Sequence, residues 1–195
     1  GLYERLKQLD ARIAAGEVDA DEQDRWHVSD LLEDFERAGV ALADDDQERL
    51  RALNQRLAEL GSQFQRLNRE ARNAATLHVT QEELAGLSPA EIASLADGDG
   101  FRVEVVNTTQ QPIAAKLADA GLRRRLLDAS LGRALGDHDT RAVLIETARV
   151  RAERATLLGF DTHAALVASE GTAKTTGAIE AMLIPLAQAA LGKAR

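Results

Sequence analysis

The side chains best suited to chemistry in this chain are its four histidines, which stand at His27, His78, His138 and His163. None has a partner at the spacing of a metal site: Asp30 follows His27 by three residues, but no second histidine accompanies them. The HExxH zinc motif, the P-loop and the GxSxG elbow are absent from the sequence. Because 32 of the 195 residues are acidic, close pairs of carboxylates are expected by chance and mark solvated helix faces. Residue spacing alone therefore predicts no catalytic residue and no metal ligand.

One polar segment is unusual enough to suggest binding, and it reads Asn107-Thr108-Thr109-Gln110-Gln111-Pro112. It is predicted to be a loop that connects a strand to a helix. Two interpretations of it remain open. Side chains of this kind hydrogen-bond their own backbone and set turns, which requires no ligand. The alternative is that their amide and hydroxyl groups contact a bound molecule.

The elements that must position such a segment are mainly helices, and one of them dominates the sequence. Apolar residues at alternating spacings of three and four run without interruption from Leu50 to Ala74. This periodicity predicts one helix over about 45–75 with a continuous buried seam. At about 1.5 Å per residue, such a helix is roughly 45 Å long. The seam positions are Leu50, Leu53, Leu57, Leu60, Phe64, Leu67, Ala71 and Ala74.

Shorter elements flank this helix. Helical periodicity predicts a helix over 2–15 that stops at Gly16, and a second over 21–38 that buries Trp26, Leu31, Leu32 and Phe35. A period of two predicts short strands near 76–80 and 101–106. Further helices are predicted over 113–119, 120–131, 140–158, 162–169 and 176–191. The fold class is therefore mainly α, a single multi-helix piece over 1–195 with a very small β element near 76–80 and 101–106.

The composition narrows the classes of function. A hydrophobic content of 45% suffices for a core, but with 3% aromatic residues Leu, Ala and Val must fill it, which favours close-packed helices. A net charge of −8 argues against a nucleic-acid partner. The lack of cysteine excludes disulfides and thiolate metal sites, and no apolar run approaches the roughly 20 residues that span a membrane. No signal peptide opens the chain, so a cytoplasmic location without a membrane partner is expected.

Several short motifs, taken in order, resemble the bacterial peptidyl-dipeptidases of the thimet-oligopeptidase-like zinc metallopeptidase family. The resemblance covers nearly the whole chain, and the segment Asn107–Pro112 favours the dipeptidase branch over the oligopeptidase branch. The other motifs are Phe35-Glu36-Arg37-Ala38-Gly39, Leu53-Asn54, Ser62-Gln63-Phe64, Ala148-Arg149, Ala155-Thr156-Leu157-Leu158-Gly159-Phe160 and Ala173-Lys174-Thr175.

This resemblance implies a mostly helical, two-lobed enzyme with a neurolysin-like zincin fold around a deep channel. In the family, zinc is held by HExxH and a downstream Glu in the later part of the polypeptide, and this sequence lacks those positions. The chain is thus expected to be an inactive fragment of the N-terminal half, a scaffold and channel wall without zinc of its own. Its implied partners are short peptides and the missing C-terminal catalytic part. Asn107, Gln110 and Gln111 are the residues expected near the substrate.

Three alternatives stay open at this point. The parent enzyme could be an oligopeptidase that cleaves short peptides internally. The chain could instead be a stand-alone helical module that uses its long helix to dock a partner. A peptidase complete in itself is the third alternative, and it would require turnover by the isolated chain.

Overall fold

The structure is a computed structural model that describes residues 1–194, apart from the side chains of Asn107 and Gln110. It confirms the mainly α class. No helix within the described residues is both long and apolar enough to cross a membrane. The helices are α1 (Leu2–Ala14), α2 (Glu22–Arg37), α3 (Asp44–Ala74), α4 (Pro89–Ser94), α5 (Asn107–Lys116), α6 (Ala120–Gly132), α7 (Arg141–Leu157), α8 (His163–Glu170) and α9 (Thr176–Lys193). The strands are β1 (Leu77–Val79), β2 (Ala96–Asp97) and β3 (Gly100–Val103), and short 3₁₀ turns cover Glu82–Leu84 and Gly136–His138.

The long helix α3 confirms the prediction drawn from the apolar periodicity. Its 31 residues begin with three acids, Asp44, Asp45 and Asp46, which favour the positive end of the helix dipole. Along the predicted seam, four residues are buried and three are half-buried, but the last, Ala74, is exposed. The seam is therefore shorter than predicted, because the apolar spacing continues one turn beyond the residues that are covered.

The chain divides into two compact units. Unit 1 comprises residues 1–57 and 148–195, and unit 2 comprises residues 58–147.

In unit 1, helix α1 ends at the predicted stop, since Gly16 adopts a φ of 73° that favours glycine. A capping box between Asp21 and Asp24 starts α2. A small core then forms from Ile13, Ala20 and Val28, with Leu9, Val18 and Leu32 packed against it.

Trp26 corrects the prediction for α2, because its side chain is 64% exposed. The buried residue of this helix is Val28 instead, whereas Leu31, Leu32 and Phe35 are half-buried. At about 100° per residue, Trp26 lies roughly 160° around the helix from Val28 and so points away from the covered face. The prediction failed because Trp26 and Leu31 are five residues apart, a spacing that does not share a face.

Unit 2 contains the small sheet, whose strand order is β1-β3-β2 with both pairs antiparallel. Leu77 pairs with Val103 and Val79 with Phe101, which confirms the predicted β element. The strand β2 is an addition to the two strands predicted from the sequence. The core of this unit consists of Val79, Leu84, Leu87, Leu95, Val103, Val105, Ile113, Leu117, Leu122 and Leu126.

Gly86 allows an unusually close approach of two backbone segments in unit 2. Its φ is 102°, and a Cβ atom on it would lie 2.2 Å from the carbonyl oxygen of Lys116 and 2.9 Å from the amide nitrogen of Ala118. The neighbouring carbonyl of Ala85 accepts a hydrogen bond of 2.7 Å from that same Ala118 amide. The turn at Gly86 therefore fixes the end of α5 through backbone contacts.

Gly86→Ala is expected to lower the free energy of unfolding by about 2–4 kcal/mol, because the new methyl group meets backbone atoms and the φ is unfavourable. Gly61→Ala is the matched control. Gly61 lies inside α3 with no atom within 4 Å of a built Cβ, so this change should stabilise by roughly 0.5–1 kcal/mol. Urea unfolding followed by circular dichroism measures both, and equal stability of Gly86→Ala and the wild type would contradict the assignment.

Candidate functional site

The predicted substrate-proximal residues lie on a helix, which corrects the prediction of a loop over Asn107–Pro112. The segment forms the first turns of α5, and Pro112 sits inside that helix. Val106 is the N-cap in an extended conformation and its side chain makes no capping hydrogen bond. The helix forms because Ile113 and Leu117, four residues apart, both turn into the core of unit 2.

Of the three candidate residues, Gln111 is exposed on α5. The side chains of Asn107 and Gln110 lie outside the described residues. Their proximity to a substrate therefore stays a prediction, while the backbone that carries them is defined.

The start of α5 is held from the side by α6. The Arg133 guanidinium, at the end of α6, donates a hydrogen bond of 2.7 Å from Nη1 to the carbonyl oxygen of Val105. Val105 is itself completely buried, so this carbonyl is fixed immediately before the helix begins. At the other end, Arg123 donates to the carbonyl of Ala118 at 3.0 Å. A contact distant in sequence thus fixes the start of α5, whereas a local contact holds the residues that follow its end.

An ion pair joins the last turn of α5 to the start of α4. Lys116 Nζ lies 2.5 Å from Glu91 Oε1, and Glu91 also accepts hydrogen bonds from the amide of Ser88 at 2.9 Å and its hydroxyl at 2.7 Å. The hydrogen bond from Lys116, followed by those from Ser88, lowers the pKa of Glu91 to about 2. The same carboxylate therefore caps α4 and anchors α5.

The histidines do not assemble a metal site. Within residues 1–194, no group of three or more His, Cys, Asp or Glu side chains lies close enough together to hold a metal ion. The Nδ1 atom of His138 is 3.6 Å from Glu70 Oε2, which makes a pair but not a coordination set. Burial, followed by the charges of Arg151 and Arg154, lowers the pKa of His163. The donor set of this part of the chain therefore does not fit zinc.

His138 and Arg133 line a cavity of about 250 Å³ in unit 2, which could not be located from the sequence. Small residues make up most of its wall: Ala71, Ala74 and Ala75 from the end of α3 and the residue after it, and Ala129 and Gly132 from α6. Because these residues come from two distant parts of the chain, no periodic pattern in the sequence indicates that they meet. Arg133, which donates to the carbonyl of Val105, connects this cavity with the start of α5.

A second cavity, of about 300 Å³ in unit 1, brings together residues from three of the sequence motifs. Arg37 comes from the motif at 35–39, Phe160 from the motif at 155–160 and Lys174 from the motif at 173–175. Between them lies Glu33, which accepts hydrogen bonds from Arg37 at 3.0 Å and from Lys174 at 3.5 Å. The bond from Arg37, assisted by Lys174, lowers the pKa of Glu33. Sequence reasoning missed Glu33, although its spacing of four residues from Arg37 was a usable signal.

The backbone of Lys174 itself is in an unusual conformation, with a φ of 60°. Such a left-handed conformation is unfavourable for a residue with a Cβ atom. Lys174 lies in the link between α8 and α9, and its ammonium group contacts the carboxylate of Glu33. The motif residues that converge here form a packing and ion-pair cluster.

The depressed pKa of Glu91 predicts how acid acts on unit 2. Because the folded-state pKa is about 2 against an ordinary 4.5, the carboxylate stabilises the fold above pH 4.5, and that contribution is lost as the pH falls toward 2. Glu91→Gln should therefore unfold at a lower urea concentration than the wild type at neutral pH, with the difference narrowing in acid. The exposed Glu180→Gln on α9 is the control. A Glu91→Gln effect that stays constant with pH would contradict the assignment.

Comparisons with known proteins connect this arrangement to peptidases. No family model matches the chain. Dipeptidyl carboxypeptidase from Salmonella typhimurium is 40% identical over 151 residues, which cover 72% of this chain and 22% of that protein. Mitochondrial intermediate peptidase from Phaeosphaeria nodorum is 30% identical over 182 residues, or 93% of this chain and 22% of that protein. Oligopeptidase A from Salmonella typhimurium is 29% identical over 150 residues, or 70% and 22%.

The chain spans about a fifth of the length of each of these relatives, since 22% of each is matched. All three are named as peptidases, and two of them match the two branches that the motifs distinguish. The similarity extends over most of the chain. The chain therefore belongs to the thimet-oligopeptidase-like family of peptidases.

Proposed function

We propose that the chain is a non-catalytic scaffold and channel-wall portion of a zinc metallopeptidase that removes dipeptides from the C-terminus of short peptides. The observation that supports this most directly is the 40% identity to Dipeptidyl carboxypeptidase, against 29% to Oligopeptidase A. The proposal assigns zinc and its HExxH ligands to a longer polypeptide, because the described residues do not bring a metal-ligand set together. The intact enzyme is proposed to be cytoplasmic.

Within this proposal, α5 presents its polar first turns to the peptide. The exposed amide of Gln111 offers both a donor and an acceptor, the groups that an extended peptide backbone requires. The anchors at Val105, Lys116 and Ala118 support this role, because a binding helix must be held rigidly to discriminate between peptides.

Two other functions remain as alternatives. An oligopeptidase that cleaves internally is favoured by the similarity to Oligopeptidase A, although that identity is lower. A stand-alone interaction module that docks through α3 would need a free apolar face. Leu50, Leu53 and Leu60 on α3 are buried within the chain, which argues against that use of the helix.

The proposal can be tested by product analysis on a chimera in which this chain replaces the corresponding stretch of the Salmonella Dipeptidyl carboxypeptidase. With zinc, the chimera should release dipeptides from the C-terminal end of a short synthetic peptide, and the isolated chain should release none. Internal cleavage would favour the oligopeptidase alternative. Turnover by the isolated chain would contradict the non-catalytic role.

Gln111→Ala in the active chimera should raise the KM for the peptide by about threefold to tenfold, because one substrate hydrogen bond of about 0.5–1.5 kcal/mol is lost. Asn107→Ala and Gln110→Ala are expected to act in the same direction. Gln63→Ala, an exposed amide on α3, is the matched control and should leave KM unchanged. Unchanged kinetics with a lowered melting temperature would instead support a purely structural role for the α5 segment.

A further inference from the structure

Helix α9 is apolar and almost entirely exposed. From Glu180 to Ala194 every residue is exposed, and Glu180 and Lys193 are the charged residues of the helix. The exposed fractions of its large apolar side chains lie between 48% and 64%; these are Met182 63%, Leu183 48%, Ile184 55%, Leu186 61% and Leu191 64%. A cluster of exposed large apolar side chains on one helix marks an interaction site.

The apolar residues of α9 lie on more than one side of the helix. Met182, Leu183 and Leu186 share one side, whereas Ile184 and Leu191 lie roughly 140° around it at about 100° per residue. Helices that are apolar all round are found in the cores of large proteins, because a single neighbour covers only one stripe. The covering partner must therefore contact α9 from several directions.

A groove between α8 and α9 extends this surface within unit 1. Its volume is about 500 Å³, and it is lined mainly by apolar or small residues, among them Val167, Ala168, Ala173 and Ile179. Val167 is 51% exposed at its edge. Such a groove fits the side chains of an apolar segment that packs alongside α9.

Two occupants can be compared on this evidence. A second copy related by two-fold symmetry would meet the helix through one self-complementary patch and leave its other side in water. The relatives, in contrast, contain far more polypeptide than this chain, which matches only 22% of their length.

We infer that α9 and the α8–α9 groove form a docking surface for the remaining polypeptide of the intact peptidase, which encloses the helix on both apolar sides. This inference rests on the proposed function, in which the chain is one portion of a longer enzyme. It adds to that proposal the surface through which the chain contacts the remaining polypeptide.

Hydrogen exchange tests the inference on two proteins, the isolated chain and the chimera with the Salmonella Dipeptidyl carboxypeptidase. The amides of α9 should exchange at least about tenfold more slowly in the chimera, because burial suppresses local opening. Leu183→Glu and Leu191→Glu, one on each apolar side, should lower the melting temperature of the chimera by about 5 °C or more. Neither should destabilise the isolated chain, where both positions are exposed. Gln8→Glu, exposed on α1, is the matched control and should affect neither protein.

Equal exchange of α9 in the two proteins, or a chimera unaffected by both substitutions, would overturn the inference. A discrete dimer of the isolated chain that Leu183→Glu dissociates would also overturn it, in favour of a second copy. If the chimera is insoluble, the chain is co-expressed with the remaining polypeptide of the Salmonella enzyme, and failure to form a stable complex counts against the inference. Protected α9 without dipeptide release would refute the proposed function alone, whereas an active chimera with unprotected α9 would refute the docking surface alone.

Discussion

The close approach of Gly86 to the end of α5 is the constraint on which unit 2 depends most visibly. A side chain at this position would meet two backbone atoms, so the turn and the helix can come together only through glycine. Once they do, Ala118 donates to Ala85 and Leu117 enters the core. At the two ends of α5, Lys116 pairs with Glu91 of α4 and the carbonyl of Val105 accepts a hydrogen bond from Arg133 at the end of α6. A polar segment that would otherwise favour a turn is held as a helix.

Structural features that depend on neighbouring residues could be predicted from the sequence, whereas features that depend on contacts between distant residues could not. The helix α3 was predicted to within one residue at each end, because its 31-residue periodicity is a local property that tertiary contacts merely reinforce. Trp26 was placed on the wrong side of α2, since hydrophobicity was weighed without the helical angle. The helical state of Asn107–Pro112 could not be predicted, because Arg133 and Gly86, which hold its two ends, are distant along the chain.

The candidate sites also combine local contacts, which the sequence indicates, with long-range contacts, which it does not. Glu33 pairs with Arg37 at a helical spacing that can be seen in the sequence, but its contact with Lys174 spans 141 residues. Lys174 also adopts a left-handed conformation that its residue type disfavours, so neither propensity nor periodicity indicates it. The motifs of the family are thus explained here by packing and ion pairing.

The distribution of apolar surface separates the two kinds of helix in this protein. In α3 the apolar residues form one seam, and most of that seam is covered by the chain itself. In α9 they lie on opposite sides and none of the large ones is buried. Exposed apolar area disfavours the folded state by about 25 cal/mol for each Å² that could have been covered. A sequence shaped only by the fold of these 195 residues would place polar residues on α9, as it does on the outer face of α3. The composition of α9 therefore supports the docking surface proposed for it.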